Sequence, residues 1–137
     1  MKLALLCVDD EAILTLAISR SLRTSFGPDL HVVSASSAAE AFEAIAELEG
    51  SGEEVRMVIS DLLMPEMRGD DFLRVLHQRF PDIKTILLSG MPPDCPEAIV
   101  LKEEVGLYAN LSKPANMKIL TRLVREALSL PDSGSQE

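Results

Sequence analysis

Cysteine is scarce in this sequence, which argues against a covalent or metal-bound framework. Only Cys7 and Cys95 occur among the 137 residues. They lie far apart, and Cys7 belongs to an apolar, strand-like segment. The sequence indicates neither a disulfide framework nor a zinc site. We therefore expect two reduced thiols in a cytoplasmic protein.

Long apolar runs are also missing. After Met1 and Lys2, a short apolar stretch stops at Asp9; it is too short for a signal sequence and no cleavage site follows it. No segment approaches the roughly 18 apolar residues that a membrane span needs. The sequence thus predicts neither secretion nor membrane insertion.

Basic residues are few compared with acidic ones. The 13 Lys and Arg residues are outnumbered by 22 Asp and Glu residues, which gives a formal net charge of −9. Such a surface does not suit nucleic acid or anionic lipid, which are bound mainly through basic side chains. A cation or a basic protein surface is a better match.

What the sequence does contain is an alternation of short apolar segments with amphipathic ones. With 47% apolar residues among 137, the chain suits one globular domain. The apolar segments are too uniformly apolar for strands with one solvated face. Such uniform segments are typical of a buried parallel sheet. Five strands are predicted, at residues 3–8, 31–35, 57–60, 85–89 and 107–111.

Five segments with helical spacing alternate with these strands. The second is predicted to begin with a capping box formed by Ser37 and Glu40. The third lies between Gly69 and Pro81, and the fourth, near residues 98–104, has a poorly defined apolar face. The apolar positions of the other four are Leu14, Ala17, Ile18, Leu22; Ala38, Ala41, Phe42, Ile45, Leu48; Phe72, Leu73, Leu76, Phe80; and Ile119, Leu120, Leu123, Val124, Ala127.

Repeated βα units joined by right-handed crossovers form an open, doubly wound sheet with helices on both faces. We assign residues 1–130 to one such domain. Residues 131–137 are polar apart from one proline and are interpreted as a flexible tail or the start of a linker.

Polar side chains stand at the ends of four predicted strands. They are Asp9, Asp10 and Glu11 after the first strand, Asp61 after the third, Ser89 at the end of the fourth and Lys113 after the fifth. In doubly wound sheets, ligands bind at the carboxyl ends of the strands. We therefore expect these side chains to share one site.

Carboxylates gathered at one edge repel each other unless a cation neutralises them. Mg²⁺ commonly binds one or two carboxylates together with waters and a phosphate oxygen. A carboxylate beside such an ion can attack phosphorus and form an aspartyl phosphate. Ser89 and Lys113 would supply donors to the phosphoryl oxygens, and a cis bond before Pro114 could turn the lysine inward.

Four motifs in this order resemble the receiver domains of two-component response regulators. They are Val8-Asp9-Asp10-Glu11, Ser60-Asp61-Leu62-Leu63-Met64-Pro65-Glu66-Met67-Arg68-Gly69, Leu88-Ser89-Gly90 and Ser112-Lys113-Pro114. The resemblance extends from residue 1 to about residue 130 and implies a flavodoxin-like (βα)5 sandwich with parallel strand order 2-1-3-4-5. One motif alone would be weak support, whereas four in order are specific.

The resemblance also implies the roles of the residues that bind the metal ion. Asp61 would be the phosphoacceptor and Asp10 a direct Mg²⁺ ligand, while Asp9 would hold the ion through water. The backbone carbonyl of Leu63 would complete the site. Mn²⁺ could take the place of Mg²⁺.

On the same resemblance, Ser89 and Lys113 would each bind a phosphoryl oxygen. The phosphodonor would be a sensor histidine kinase or a histidine phosphotransfer protein. The signal would pass by conformational change to a downstream protein or to an output domain beyond this chain. Because the protein would catalyse only its own phosphorylation and slow dephosphorylation, we do not expect a turnover enzyme. Monomer and homodimer both remain open.

Three positions depart from the family pattern. The fifth strand of the family usually carries an aromatic residue three positions before the lysine, and here that residue is Asn110; Tyr108 lies two residues earlier. Gly90 stands where a small alanine is common. Leu63 places an apolar side chain beside the acceptor, where a polar one could orient an attacking water, so we expect the phosphorylated form to hydrolyse slowly.

Three other functions compete with this interpretation. A phosphorylation-independent protein-binding scaffold has mild support from Asn110, although the acids and the lysine are intact. A haloacid-dehalogenase-type phosphatase would need an Asp-x-Asp pattern after the first strand, but Asp9 and Asp10 are adjacent. A DNA-binding regulator would need a helix-turn-helix module or a basic patch, which this chain lacks.

Overall fold

The computed structural model describes residues 2–131, which form five strands and five helices in alternation. The order is β1 (Lys2–Val8), α1 (Ala12–Phe26), β2 (His31–Ala35), α2 (Ala38–Gly50), β3 (Glu53–Ser60), α3 (Gly69–Arg79), β4 (Lys84–Ser89), α4 (Pro96–Val105), β5 (Ala109–Ser112) and α5 (Met117–Leu128), with a 3-10 turn at Gly27–Asp29. The predicted tail, residues 131–137, lies outside the described residues except for Pro131.

The five strands form one parallel sheet in the order β2-β1-β3-β4-β5. This confirms the predicted flavodoxin-like fold and its strand order. The chain leaves β1 toward β2 on one side and returns to β3 on the other, so the order of the strands reverses between β1 and β3. A crevice opens at such a reversal, at the carboxyl ends of the strands.

The sheet is covered on both faces because successive residues of a strand point to opposite sides. Along β1, Leu5 and Cys7 pack with α1 and α5, whereas Ala4, Leu6 and Val8 pack with α2, α3 and α4. The strands therefore read as continuous apolar runs. Cys7 and Cys95 belong to the two different clusters and are free and buried. Burial raises the pKa of the Cys7 thiol to about 12.

Two strand boundaries differ from the sequence prediction by more than one residue. β3 begins at Glu53, four residues before the predicted start. Its first residues pair with the start of β1 at the partly exposed end of the sheet. A register shift between Ala4 and Leu5 accommodates Arg56 as an extra residue. β5 begins at Ala109, two residues later than predicted, since Leu107 is buried in the packing beneath α4 without joining the ladder.

The capping of α2 is close to the prediction. Ser37 Oγ accepts a hydrogen bond from the N–H of Glu40 at 3.1 Å. The Glu40 carboxylate accepts in return from the N–H of Ser36, one residue before the expected position, at 2.8 Å. That backbone hydrogen bond lowers the pKa of Glu40. Among residues 2–131, none of the helices is long and apolar enough to cross a bilayer.

Candidate phosphorylation site

Three of the predicted site residues, Asp9, Asp61 and Lys113, are held by backbone hydrogen bonds that continue the sheet ladder one residue beyond a strand. The N–H of Asp9 donates to Ala35 O at 3.1 Å, that of Asp61 to Val8 O at 3.1 Å, and that of Lys113 to Ser89 O at 2.8 Å. These bonds bring residues from β1, β3 and β5 to one edge of a buried sheet. The backbone positions of the site are therefore set by the most regular part of the fold.

Both carboxylate oxygens of Asp61 have a defined partner. Oδ1 accepts from the N–H of Leu62 at 2.7 Å, and Oδ2 lies 3.1 Å from Lys113 Nζ. The side chain is only 8% exposed. Burial raises the pKa of Asp61, the hydrogen bond from Lys113 opposes that rise, and the neighbouring charge of Asp9 adds to it. The result is a fixed but electrostatically costly carboxylate, which is suited to accept a neutralising group.

Lys113 lies at the centre of the site. Its Nζ is 2.8 Å from Asp9 Oδ2 and 2.6 Å from Glu11 Oε1, in addition to the contact with Asp61. Burial works against its charge, but the hydrogen bonds that Lys113 donates to the three carboxylates outweigh burial and raise its pKa, so the side chain stays an ammonium ion. The peptide bond between Lys113 and Pro114 is cis, as the sequence allowed.

The site also contains an oxygen-rich cluster. Carboxylate oxygens of Asp9, Glu11 and Asp61 all lie within 4.8 Å of one another. An all-oxygen set of this kind fits a hard divalent cation such as Mg²⁺. Asp10, by contrast, is exposed and does not belong to this cluster, so its role as a direct ligand stays a prediction.

From the sequence, Glu11 was expected at this edge of the sheet, but it was assigned no role in binding the metal ion or the phosphoryl group. In the sequence, Glu11 is marked only by its position directly after the two aspartates. An acidic residue at that position can also serve only to interact favourably with the dipole of the following helix. Its contact with Lys113 depends on the distant fifth strand, 102 residues along the chain. A pattern of local spacing could not have shown this contact.

An open cavity of about 460 Å³ lies over Asp61, which forms its polar side together with Glu11 and Lys113. Ser89 and Gly90 line it from the end of β4. Leu63 and Met91 add apolar surface, and Leu63 is 49% exposed. Ser89 Oγ accepts a hydrogen bond from the N–H of Met91 at 3.0 Å. The cavity thus gathers Ser89, Leu63, Asp61 and Lys113, as the sequence predicted.

Asn110 in β5 and Tyr108 just before this strand both lie apart from the cavity. Asn110 pairs with Leu87 in the ladder, and its side chain donates to Pro93 O at 2.7 Å. Tyr108 precedes the strand, at the other end of β4, where its N–H donates to Thr85 O. Lys84 Nζ lies over its ring, 5.8 Å from the centroid. Tyr108 is therefore not placed where it could rotate toward Ser89.

The sequence matches the family model described as the response regulator receiver domain over residues 5–125. That span runs from within β1 to within α5 and includes the residues of the cavity. The chain therefore belongs to the receiver domain family of two-component response regulators, whose members are phosphoacceptors.

Known relatives carry this domain as a small part of longer proteins. The chain is 37% identical over 127 residues to "Sensor kinase CckA" of Brucella abortus, covering 93% of this chain and 13% of that protein. It is 32% identical over 123 residues to "Hydrogenase transcriptional regulatory protein HoxA" of Cupriavidus necator, covering 90% of this chain and 23% of that protein. The chain spans less than a quarter of either relative.

Solved structures share the fold. The signal receiver domain of an HD domain-containing protein from Pseudomonas fluorescens Pf-5 superposes with a TM-score of 0.78 at 28% identity, covering 94% of this chain and 96% of that one. A CheY-like receiver domain protein from Methanospirillum hungatei has a TM-score of 0.77 at 23% identity, covering 94% and 95%. The second likeness concerns the fold alone.

Proposed function

We propose that this domain accepts a phosphoryl group on Asp61 in a Mg²⁺-dependent reaction and signals by a change of conformation. The observation that carries the proposal is the Asp61 carboxylate, buried at the floor of an open cavity with Lys113 Nζ 3.1 Å away. Membership of a phosphoacceptor family supports the same role. The proposed phosphodonor is the phosphohistidine of a sensor kinase or of a histidine phosphotransfer protein.

In this reaction a carboxylate oxygen of Asp61 forms a bond to phosphorus while the bond from phosphorus to the donor's imidazole nitrogen breaks. The leaving nitrogen keeps the electron pair. Little covalent chemistry is asked of the protein, so positioning and charge stabilisation dominate. The Leu62 N–H holds one Asp61 oxygen in place, and Lys113 and Ser89 are proposed to donate to the phosphoryl oxygens.

On family resemblance, we assign the metal ion to Asp61, Asp10 and the Leu63 carbonyl as direct ligands. Asp9, the other buried carboxylate of the cluster, would hold the ion through water. Bound Mg²⁺ would neutralise the crowded carboxylates and the phosphoryl oxygens. Mn²⁺ is proposed as a substitute. A cytoplasmic location belongs to the same proposal, as do residues 1–130 as the domain boundary.

Phosphorylation can be tested by intact mass after incubation with acetyl phosphate and Mg²⁺. We expect a gain of one phosphoryl group in the wild type and in Asp82→Asn, whose exposed side chain is remote from the cavity. Asp61→Asn and a wild-type sample with excess chelator should gain nothing. A gain in Asp61→Asn would refute the assigned acceptor, and a gain with chelator would refute the metal requirement.

A phosphorylation-independent scaffold is the second candidate, because Asn110 replaces the aromatic residue of the family pattern. It predicts no mass gain in the wild type under any of these conditions. It also predicts that partner binding is the same for wild type and Asp61→Asn. The proposed receiver function predicts that binding by a downstream protein depends on the phosphoryl donor.

A further inference from the structure

Glu11 occupies the N-cap position of α1 but does not cap the helix. Its side chain makes no capping hydrogen bond, although this position favours short side chains that accept from the first-turn N–H groups. The carboxylate instead lies at the cavity, with Oε1 2.6 Å from Lys113 Nζ. A residue that departs from local helix chemistry to reach a site points to a role in that site.

Lys113 has no N–H group to spare in this arrangement. An ammonium has three donors, and oxygens of Asp9, Glu11 and Asp61 all lie within 3.1 Å of Nζ. One of these contacts must break before Lys113 can donate to a phosphoryl oxygen. The question is therefore which carboxylate is released.

The three carboxylates differ in the free energy that their release costs. The side chains of Asp9 and Asp61 are 7% and 8% exposed, whereas that of Glu11 is 61% exposed. A buried carboxylate that loses its cation cannot be fully solvated, so its release is costly. An exposed carboxylate regains water, and its ion pair contributes little. Glu11 is the partner that is released most easily.

We propose that Glu11 is a positioning residue that holds Lys113 at the cavity and competes for it with the incoming phosphoryl group. This inference rests on the proposed function, because it concerns the same lysine. Glu11 lowers the affinity of the site for a phosphoryl group and takes Lys113 back when the group leaves. Neither effect needs a change in the backbone.

Beryllofluoride, a stable analogue of the phosphoryl group, tests this competition. The full chain at saturating Mg²⁺ would be titrated and followed by amide NMR shifts. We expect Glu11→Gln to bind the analogue about two- to five-fold more tightly than wild type, the range that an exposed ion pair supplies. Glu43→Gln on α2 is the matched control, since it removes the same charge at an exposed position and should bind like wild type.

A second variant separates contact from charge. Glu11→Asp keeps the charge but is one methylene shorter, which weakens the contact with Lys113, so competition predicts tighter binding here too. Wild-type affinity in Glu11→Asp together with tight binding in Glu11→Gln would mean simple repulsion and overturn the proposal. Unchanged or weaker binding by Glu11→Gln would overturn it as well.

A readout without metal or analogue completes the test. In the metal-free protein, the ammonium protons of Lys113 should exchange with water faster in Glu11→Gln than in wild type, while Glu43→Gln leaves them unchanged. Equal exchange in Glu11→Gln would contradict the positioning role even if affinity changed. If wild type failed to bind beryllofluoride, the proposed function itself would fail, whereas a normal wild type with unresponsive Glu11 variants would refute only this inference.

Discussion

The side chain of Asn110 donates a hydrogen bond from Nδ2 to the backbone carbonyl oxygen of Pro93 at 2.7 Å. This bond joins β5 to the segment between β4 and α4. The other end of that segment is held by Ser89 Oγ, which accepts from the N–H of Met91 at 3.0 Å. Ser89 and Asn110 therefore restrain the same short segment from its two sides, in a domain that lacks the aromatic residue of the family pattern.

Asn110→Ala should loosen this segment. We expect faster hydrogen exchange at the amides of Met91 and Cys95, because the carbonyl of Pro93 loses its side-chain partner and the segment loses this link to β5. The free energy of unfolding should fall by no more than about 1 kcal/mol, as is usual for one partly exposed hydrogen bond. Native-state exchange followed by NMR measures the first effect, and denaturant unfolding measures the second.

The matched control is Asn116→Ala, which removes an N-cap. Asn116 Oδ1 accepts from the N–H of Ile119 at the start of α5, so its loss should cost about 1 kcal/mol. It should leave exchange at Met91 unchanged. Equal protection of Met91 in Asn110→Ala and wild type would contradict the restraint assigned to Asn110.

Leu63 should make the phosphorylated form long-lived. Its apolar side chain is half exposed at the cavity over Asp61 and cannot orient a water for attack on the acyl phosphate. Leu63→Asn supplies an amide that can, and we expect hydrolysis to accelerate about tenfold, a modest positioning effect. The half-life of the phosphorylated protein, followed by intact mass after removal of the donor, measures this change.

Leu63→Met serves as the control, since it keeps the position apolar and similar in size. It should hydrolyse at the wild-type rate. A half-life of seconds in the wild type would show that water reaches the acyl phosphate without help from this position, and the assigned role of Leu63 would then be wrong.

Whether a feature of the structure could be predicted depends on whether a local sequence pattern indicates it. The parallel sheet and the meeting of Asp9, Asp61 and Lys113 were predictable, because uniformly apolar strands form a parallel sheet and polar residues at strand ends share one edge. The strand order was implied only by the resemblance to receiver domains. The start of β3 was missed because Arg56 is an extra residue in the pairing with β1. The contact of Glu11 with Lys113 depends on side-chain reach between distant strands, which no local pattern records.

Gly69 should tolerate no side chain. A Cβ added there would lie 1.7 Å from the backbone oxygen of Asp61 and 2.9 Å from the Cα of Leu62, while the Gly69 N–H donates to Leu62 O at 2.7 Å. Gly69→Ala must push the backbone of Asp61 away, so we expect a loss of about 3 kcal/mol or more in the free energy of unfolding. Denaturant unfolding monitored by circular dichroism gives the value.

Gly50→Ala provides the contrast, because a Cβ at Gly50 meets nothing within 4 Å and the residue ends α2. Alanine is the better helix former, so stability should be unchanged or rise by up to about 1 kcal/mol. If Gly69→Ala proved as stable as Gly50→Ala, the close approach of α3 to the Asp61 backbone would have to be wrong.

Asp61 should destabilise the folded protein at neutral pH in the absence of metal. Burial raises its pKa above the ordinary value, despite the opposing hydrogen bond from Lys113. A carboxyl whose pKa is higher in the folded state stabilises the fold below its unfolded pKa of about 3.9, and that contribution is lost as pH rises through the folded pKa. Asp61→Asn should therefore raise Tm by a few degrees at pH 7 in chelator.

The gain from Asp61→Asn should shrink as pH falls toward 4, because the wild-type carboxyl then takes up its proton and loses the penalty of a buried charge. Asp82→Asn, at an exposed position, should change Tm little at either pH. Thermal unfolding of the three proteins between pH 4 and 7 measures the trend. A gain that grew toward pH 4 would mean that ionised Asp61 stabilises the fold, so that its attraction to Lys113 exceeds the cost of burial.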